Sequence, residues 1–413
     1  MKWIPTERPF LIPEPVKAAL QRLSSKGFTA YLVGGCVRDF LLDRKAKDYD
    51  IATDASPDQI LEVFPQGLTI GKAFGVIKLP EVEIATFRKD GNYSDSRHPE
   101  SVEFTGPEED AKRRDFTVNG LFYDPKTQKI LDFVEGYEDI KARQIKCIGL
   151  APQRFQEDAL RLLRAIRFTC SLGFDLEAET LRSIKNRSKL IRRISAERVR
   201  MELELMWSGP APDRAIRFLH ETELTQVLFP ELTDADWVSI FKMMTKIKLM
   251  GVTRSPDFAW ATLMKDLSGA PAAIVGTWMT RFKLSHEQYE LIKTVLEERS
   301  KFKEVFQMRE APLQRWLRSP HFEALLEFHK AEALAHDGNL VYYEFCRGRL
   351  DEIKAEGAGG VDKFLTGNDL IQLGFSPGPR FTQILNALED QVLEKKIKSR
   401  EEALEFVIKH FEG

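Results

Sequence analysis

The chain has 413 residues, of which 43% are hydrophobic and 30% are charged, an ordinary balance for a water-soluble globular protein. Its formal net charge is −2, so the overall charge does not indicate a polyanionic partner. At roughly 100–200 residues per domain, this length predicts about two to four domains. Between Arg161 and Arg200, however, eleven Lys or Arg residues stand against four acids. This excess is typical either of a solvated helix surface or of a surface that binds phosphates.

Cysteine usage and hydropathy predict the compartment. The four cysteines lack CxxC spacing, so neither a zinc site nor a disulfide framework is expected. The N-terminal residues contain no apolar signal-peptide core, and no apolar run approaches the ~20 residues that cross a bilayer. We therefore expect a cytoplasmic protein without membrane association. No feature of the sequence indicates a protein partner.

The first 140 or so residues mix helix and strand patterns. Helices are predicted at residues 13–26 and 57–64, and Ser56 is a suitable N-cap for the second, with Pro57 in its first turn. Strands are predicted at residues 29–33, 49–52, 75–79 and 82–88. After Pro152 strand patterns nearly vanish, and helical periodicity dominates stretches such as 157–172, 176–185 and 196–207. We therefore predict an α+β protein with a small mixed-sheet head followed by an all-helical remainder.

Two carboxylates, Asp48 and Asp50, occur two residues apart at a predicted strand, where alternate residues share one face. Two adjacent acids repel each other unless a cation lies between them, and hard oxygen ligands suit Mg²⁺. A lone D-x-D is more often a turn or a cap. Glu83, on a later predicted strand, is a candidate third acid that would complete or support a metal site. A strand glutamate that faces solvent is the commoner case.

Gly34 and Gly35 directly follow the first of these predicted strands, where glycines let the backbone approach a phosphate. Arg38, at the start of the next predicted helix, could donate to a triphosphate there. The alternatives are a plain turn and a surface salt bridge from Arg38 to Asp39 or Asp43. Together, a phosphate cradle, a cation and paired acids describe nucleotidyl transfer.

The segment 113–119, RRDFTVN, combines two arginines with polar groups of defined geometry. Its apolar residues would anchor the segment in a core. Arg114 could grip a phosphate bidentately, and Asp115 and Asn119 could accept from and donate to a ribose. Ordinary surface charge is the alternative for the arginines.

Asp158, Arg161, Arg164 and Arg167 recur every third residue along the predicted helix 157–172. One interpretation is a ladder of salt bridges worth a few tenths of a kcal/mol. The other is an edge that reads a nucleobase, because a carboxylate accepts from an exocyclic amine and an arginine donates to a ring nitrogen. Cytosine and adenine present an amine beside an acceptor, whereas guanine and uracil present the reverse. An Asp–Arg pair would therefore accept C and A and reject G and U.

In this order, these segments resemble the class II tRNA nucleotidyltransferases, which are the CCA-adding enzymes, and their bacterial poly(A) polymerase relatives. GGCVRDFLL…KDYDIAT resembles the family's first motif, RRDFTVNG its second and EDALRLLRAIRF its templating motif. LTGNDLIQLGFSPGPRF resembles the carboxy-terminal segment of many such enzymes. The resemblance implies a catalytic head (1–142), a neck that templates the base (143–208), and a body (209–350) and tail (351–413) that bind tRNA.

The resemblance also implies a role for each candidate residue. Asp48 and Asp50 would hold Mg²⁺, and Gly35, Arg38 and Arg114 would contact the triphosphate. Asp158 and Arg161 would pair with the base, while Arg164 and Arg167 would support nucleotide binding. Asp115 and Asn119 would favour ribose over deoxyribose. The reaction would be attack of the tRNA 3′-hydroxyl on the α-phosphate of CTP or ATP, with release of pyrophosphate.

Three alternatives stay open. The loop between Glu83 and Arg114 contains residues 93–98, YSDSRH, of which Tyr93, Asp95, Arg97 and His98 resemble the pattern of CCA-adding and A-adding enzymes. A CC-only enzyme is therefore not expected, whereas an A-adding enzyme that follows a separate CC-adding enzyme, or a poly(A) polymerase, is an alternative. A non-catalytic RNA-binding protein is a third possibility, but a pure binder gains nothing from a repelling pair of aspartates.

Overall fold

The structure, a computed structural model, describes residues 1–6, 8–91, 101–252, 255–355 and 364–411. The chain forms two compact units, residues 1–235 with 281–283 and residues 236–280 with 284–413. The finer division into head, neck, body and tail stays a prediction. No helix within the described ranges is long and apolar enough to cross a membrane.

The secondary structure is as follows. The strands are β1 (Lys2–Pro5), β2 (Ala30–Val33), β3 (Asp50–Thr53), β4 (Val76–Lys78), β5 (Glu83–Thr86), β6 (Arg88–Asp90), β7 (Val102–Phe104), β8 (Leu121–Asp124), β9 (Lys129–Asp132), β10 (Gln144–Ile145) and β11 (Asp175–Leu176). The helices up to residue 235 are α1 (Glu14–Ser25), α2 (Gly35–Leu41), α3 (Pro57–Val63), α4 (Pro107–Arg113), α5 (Gly136–Lys141), α6 (Ala151–Glu157), α7 (Arg161–Leu172), α8 (Ala178–Arg187), α9 (Ala196–Trp207), α10 (Pro212–Glu221) and α11 (Leu224–Leu228). The later helices are α12 (Trp237–Met250), α13 (Ser255–Met264), α14 (Pro271–Phe282), α15 (His286–Glu298), α16 (Glu310–Leu317), α17 (Phe322–His336), α18 (Val341–Ala355), α19 (Gly367–Gln372), α20 (Pro379–Leu393) and α21 (Arg400–Phe411). Short 3₁₀ helices lie at Lys72–Phe74, Thr117–Asn119, Ser188–Arg193, Pro230–Leu232 and Arg299–Gln307.

A seven-stranded mixed sheet forms the first part of the chain, with the order β1-β9-β8-β2-β3-β5-β4. β3 and β5 are parallel, and the other neighbours are antiparallel. Leu32, Ile51 and Ile84 on the central strands are fully buried, so the hydrophobic effect fixes which face of each strand points inward. The register places Asp50 opposite Val33 and beside Glu83. The predicted fold class, a mixed-sheet head followed by a mostly helical remainder, is confirmed.

Local sequence signals place several elements correctly. The predicted helix 57–64 is α3, and its N-terminus is a capping box in which the Ser56 hydroxyl accepts from the Gln59 N–H at 3.3 Å. In return, the Gln59 side-chain oxygen accepts from the Ser56 N–H at 2.8 Å. Each bond satisfies a backbone donor that the helix leaves free. The predicted helix 196–207 has the same bounds as α9.

The single helix predicted over residues 157–172 is wrong. α6 ends at Glu157 and α7 begins at Arg161, and Asp158 between them has an extended backbone (φ −139°, ψ 104°). The Asp158 carboxylate accepts from the Leu160 N–H at 3.0 Å. An aspartate that bonds to its own local backbone competes with the helical hydrogen bonds. Asp158 therefore does not share a helix with Arg161, and the predicted ladder along one helix is not formed.

The second unit is built from helices around aromatic side chains. α12 packs against α17, and α13 against α15. Trp260 and Trp278 are buried and meet edge to face, with ring centroids 6.0 Å apart. In the same unit, the His329 ring lies parallel to the Phe302 ring at a centroid distance of 3.9 Å. Neither ring nitrogen of His329 has a hydrogen-bond partner among the described residues, and burial lowers the pKa of His329 to about 4.

The depressed pKa of His329 predicts a loss of stability in acid. The unfolded chain takes up a proton at His329 below its ordinary pKa of 6.5, whereas the folded chain resists it until near pH 4. The free energy of unfolding should therefore fall as the pH drops through this window. We expect His329→Phe, which keeps the ring stack, to lose less stability between about pH 7 and about pH 5 than the unsubstituted chain, measured by urea unfolding. His336→Gln is the matched control, because that side chain on the same helix is 84% exposed. Equal pH dependence in all three proteins would contradict the assignment.

Candidate active site

A cavity of about 930 Å³ opens in the first unit, a volume in the range that holds a small ligand. Its lining residues come from the turn after β2, α2, the start of β3, the segment 113–119, α7 and the end of α9. All the candidate residues except Glu83 line it, namely Gly34, Gly35, Arg38, Asp48, Asp50, Arg114, Asp115, Asn119, Asp158, Arg161, Arg164 and Arg167. Residues far apart in sequence therefore meet at one place.

The glycine turn after β2 lies directly beside an arginine. Gly34 has a φ of 74°, which L-residues with a side chain rarely adopt. A Cβ atom at this position would lie 3.1 Å from Nη1 of Arg114. The Gly34 N–H donates to the Leu121 carbonyl at 3.1 Å, which fixes the turn against β8. Glycine here allows both the backbone conformation and the close approach of Arg114.

Asp50 is the first residue of β3, whereas Asp48 lies two residues before the strand begins. Strand alternation therefore does not by itself place Asp48, but both side chains line the cavity. Neither carboxylate accepts a hydrogen bond from a described residue or pairs with one within 4.0 Å. Burial raises the pKa of Asp50, Arg114 lowers it, and the Glu83 and Asp48 carboxylates raise it further. The two acids are thus close enough to repel each other and lack a protein cation as an ion-pair partner.

Glu83 lies beside Asp50 in the parallel register of β3 and β5, but it does not line the cavity. Its carboxylate pairs with Lys78 Nζ at 3.0 Å on the exposed side of the β4–β5 pair. In the part of the chain that the structure describes, no cluster of three or more acids, His or Cys forms a metal site. The other aspartates that line the cavity pair with arginines, which leaves Asp48 and Asp50 as the acids available to a cation there; the paired ones are Asp39, Asp90, Asp115 and Asp158.

A buried carboxylate that the sequence analysis missed positions the two adjacent arginines. Asp110 in α4 has no exposed surface. It accepts from Nε of Arg113 at 2.8 Å and from Nη2 of Arg114 at 3.0 Å. Burial opposes ionisation, but the two guanidinium groups hold the pKa of Asp110 below its usual value. The signal for Asp110 was its i,i+3 and i,i+4 spacing to the arginines in one helix.

Asp115 joins the segment 113–119 to α7. Its Oδ2 accepts from Nε and Nη2 of Arg164 at 2.9 and 2.6 Å. Its Oδ1 accepts from the Phe116 N–H at 2.8 Å and from Nδ2 of Asn119 at 3.1 Å. Although burial favours the neutral acid, the Arg164 charge and these hydrogen bonds hold the pKa of Asp115 well below its usual range. Asp115 is therefore a fixed anion at neutral pH.

Arg38 is buried, with 9% of its surface exposed. Its Nη1 donates to Oδ1 of Asn119 at 2.5 Å, and its Nη2 pairs with Asp39 at 2.8 Å. The salt bridge that was the alternative for Arg38 is thus present, but inside the cavity wall. Asp43, the other candidate partner, pairs with Arg8.

Arg167 and Arg164 share a second carboxylate that the sequence analysis also missed. Nε of Arg167 donates to Oε2 of Glu202 at 2.6 Å, and Nη1 of Arg164 lies 3.8 Å from Oε1 of the same residue. Glu202 lies in α9 and is 6% exposed. Arg167 and Arg164 lie 35 and 38 positions before Glu202, so no local spacing connects them. Only the packing of α9 against α7 reveals the contact.

The two candidate base-reading residues have protein partners of their own. Arg161 is 7% exposed, and its Nη1 donates to the Arg154 carbonyl at 3.0 Å and to Glu157 Oε2 at 2.9 Å. Asp158 Oδ2 accepts from Nη2 of Arg198 at 3.4 Å. Both side chains still reach the cavity. The loop residues Tyr93, Asp95, Arg97 and His98 lie outside the described residues.

Three family models match the chain. Residues 30–146 match the poly(A) polymerase head domain. Residues 173–236 match the model of an RNA- and SrmB-binding site of polymerase A, and residues 362–407 match the model of tRNA nucleotidyltransferase domain 2.

Similarity to individual proteins extends over nearly the whole chain. A CCA-adding enzyme from Lactococcus lactis subsp. cremoris is 31% identical over 410 residues, which cover 96% of this chain and 95% of that enzyme. The crystal structure of the Bacillus stearothermophilus CCA-adding enzyme in complex with CTP has a TM-score of 0.74 at 28% identity and covers 96% of this chain and 98% of that one. The Thermotoga maritima CCA-adding enzyme in complex with tRNA, at 21% identity, shares the fold with a TM-score of 0.69, covering 97% of each chain. The resemblance seen in the motifs is thereby confirmed, and this chain belongs to the CCA-adding enzyme family of nucleotidyltransferases.

Proposed function

We propose that this protein adds CMP and AMP from CTP and ATP to the 3′ end of tRNA, without a nucleic-acid template and with release of pyrophosphate. The observation that carries the proposal is the single cavity in which two unpaired aspartates, Asp48 and Asp50, face a set of anchored arginines. The similarity to CCA-adding enzymes over almost the full chain, including one bound to CTP, supports the same activity. The four cysteines are free thiols, which fits the reducing cytoplasm.

Asp48 and Asp50 would hold Mg²⁺. The pair fits this ion because both side chains are oxygen donors, reach the same cavity and have no ion-pair partner among the residues that the structure describes. Mg²⁺ commonly takes one or two carboxylates and completes its shell with water and substrate phosphates, so a third protein acid is not required. When bound, such an ion neutralises charge at the phosphates that react. Glu83 would support the site only through its charge beside Asp50.

The remaining groups would bind and orient the nucleotide. Arg114 and Arg38 flank the Gly34–Gly35 turn and carry fixed positive charge toward the place of a triphosphate. Asn119 lies between Arg38 and Asp115 in one hydrogen-bonded chain, so it has a defined orientation in which to read a ribose hydroxyl. Arg164 and Arg167 support this side of the cavity through Asp115 and Glu202. The protein would thus provide positioning and electrostatic stabilisation for in-line displacement.

Base choice would lie with Asp158 and Arg161. Both reach the cavity from the α6–α7 junction. Because the helix is interrupted there, Asp158 and Arg161 do not lie one turn apart on a single helix. A carboxylate and a guanidinium at this place can pair with the amine and the ring nitrogen that cytosine and adenine share. An enzyme that adds A after a separate CC-adding enzyme would use the same pair, and so would a poly(A) polymerase. The transcript endings in the following assay separate these alternatives.

Substitution of Asp48 tests the proposed metal-holding acids. Asp48→Ala should lower CMP and AMP incorporation by roughly a thousandfold or more, because a lost cation site removes several kcal/mol of charge stabilisation. The assay uses Mg²⁺, labelled CTP or ATP, and tRNA transcripts that end at the discriminator base, at C or at CC. Asp58→Ala is the matched control, since this exposed acid of the same unit lies outside the cavity and pairs with Lys72.

The set of transcripts that accept nucleotides distinguishes the candidate activities. Incorporation into all three transcripts is the expected result. Addition only to the CC-ended transcript would restrict the enzyme to A addition, and long A tails on arbitrary RNA would identify a poly(A) polymerase. No incorporation by the unsubstituted chain would favour a non-catalytic RNA-binding protein.

Substitution of Arg161 tests the proposed base-reading role. Arg161→Ala should reduce the preference for CTP and ATP over UTP and GTP by about tenfold or more, which is the usual effect of losing a hydrogen bond to a charged group. The kcat/KM for each of the four nucleotides on CC-ended and C-ended transcripts gives the measurement. Because Arg161 also holds the Arg154 carbonyl, thermal unfolding is recorded in parallel. Arg182→Ala, an exposed arginine in α8 that pairs with Glu179, serves as control. Unchanged discrimination in a folded Arg161→Ala protein would remove the base-reading role.

A further inference from the structure

Phe168 is an aromatic side chain in the wall of the arginine-rich cavity. It lies in α7 and is 8% exposed. Its ring meets the fully buried ring of Phe116 edge to face, with centroids 5.8 Å apart and an interplanar angle of 73°. The ring is therefore held in place by the core and cannot turn freely.

Three arginines lie over this one ring. The guanidinium carbons are 4.1 Å from the ring centroid for Arg167, 5.3 Å for Arg164 and 5.4 Å for Arg38. All three side chains line the cavity. Arg164 and Arg167 come from the same helix as Phe168, whereas Arg38 comes from α2, more than a hundred residues earlier. The Phe168 ring is therefore the shared neighbour of arginines from two helices, α2 and α7.

Each of these arginines also has an anionic anchor. Arg38 pairs with Asp39, Arg164 with Asp115 and Arg167 with Glu202. A carboxylate fixes a guanidinium through its N–H edge, while an aromatic ring attracts it through its face. The two contacts together restrict both the position and the tilt of the planar group. Three like charges can share this small volume because the ring offers a negative face to them and three carboxylates balance them.

We infer that Phe168 is a positioning residue that holds Arg38, Arg164 and Arg167 as one set for the anionic nucleotide. It acts through the arginines, which are the groups that would contact the ligand. This inference rests on the proposed function of the cavity. An aliphatic side chain of similar size would keep the packing against Phe116 but would lose the aromatic face, so the arginines would keep their anchors and lose their common orientation. The cost should appear in nucleotide binding and less in the chemical step.

The test compares Phe168→Leu, Phe168→Tyr and Phe155→Leu in the full-length protein. Phe155 in α6 is fully buried, does not line the cavity and has no cation–π contact with a described arginine, so its replacement by leucine matches the loss of packing without removing an aromatic face from Arg38, Arg164 or Arg167. The kcat and KM for CTP and ATP are measured on C-ended and CC-ended transcripts, together with the thermal midpoint of each variant.

We expect Phe168→Leu to raise the KM for both nucleotides by roughly 5- to 30-fold, the scale of losing two or three cation–π contacts, with kcat within about threefold of the unsubstituted chain. Phe168→Tyr keeps the ring and should restore most of the affinity. Phe155→Leu should lower the thermal midpoint with KM within about twofold. A KM for Phe168→Leu no higher than that of Phe155→Leu overturns the inference, as does an equal rise in Phe168→Tyr. A different result would contradict the proposed function itself, namely an unsubstituted protein that incorporates neither CMP nor AMP.

Discussion

The cavity depends on one ion pair in its wall, between Asp115 of the segment that follows α4 and Arg164 of α7. The carboxylate makes two bonds to the guanidinium and two more to its own segment, so none of its charge is left uncompensated. Taking a charge out of water is costly, and without Arg164 the Asp115 carboxylate, whose side chain is only 10% exposed, would lose its ionic partner. The sheet-bearing part of the first unit and α7 of the same unit are therefore joined at the point where the ligand would bind. Their relative position is a condition of the site rather than a separate property of the fold.

From this pair a continuous polar chain runs in both directions. On one side Arg164 approaches Glu202, which holds Arg167, and on the other Asp115 bonds Asn119, which accepts from Arg38. Because each group is satisfied by the next, a change at one end alters the geometry at the other. Effects of substitutions along this chain should therefore not be additive, and a residue with no contact to the nucleotide can still alter nucleotide binding.

The sequence predicted which residues line the cavity better than it predicted how they are arranged. Helix signals that depend only on neighbouring residues predicted helix bounds correctly, as the N-cap at Ser56 and the bounds of α9 show. The break at Asp158 was missed because periodicity alone cannot reveal a side chain that bonds its own backbone. Glu202 was missed for a different reason, since its partners lie in another helix and only tertiary packing brings them together. Glu83 has the sequence position expected of a third acid, but its carboxylate forms an ion pair with Lys78, its neighbour on the adjacent strand.

The cations and the acids of the cavity are prepared in opposite ways. The arginines are held in advance by carboxylates such as Asp110 and Asp115, so little side-chain entropy is left to lose when a flexible triphosphate binds. Among the described residues, Asp48 and Asp50 have no such partner. Had arginines paired with them, the two acids would be neutralised and would not attract a divalent cation. Unpaired, they preserve a local negative charge, which the proposed cation would neutralise. This asymmetry follows from the proposed chemistry, in which the protein supplies the positive charge for the nucleotide and the ion supplies it for the acids.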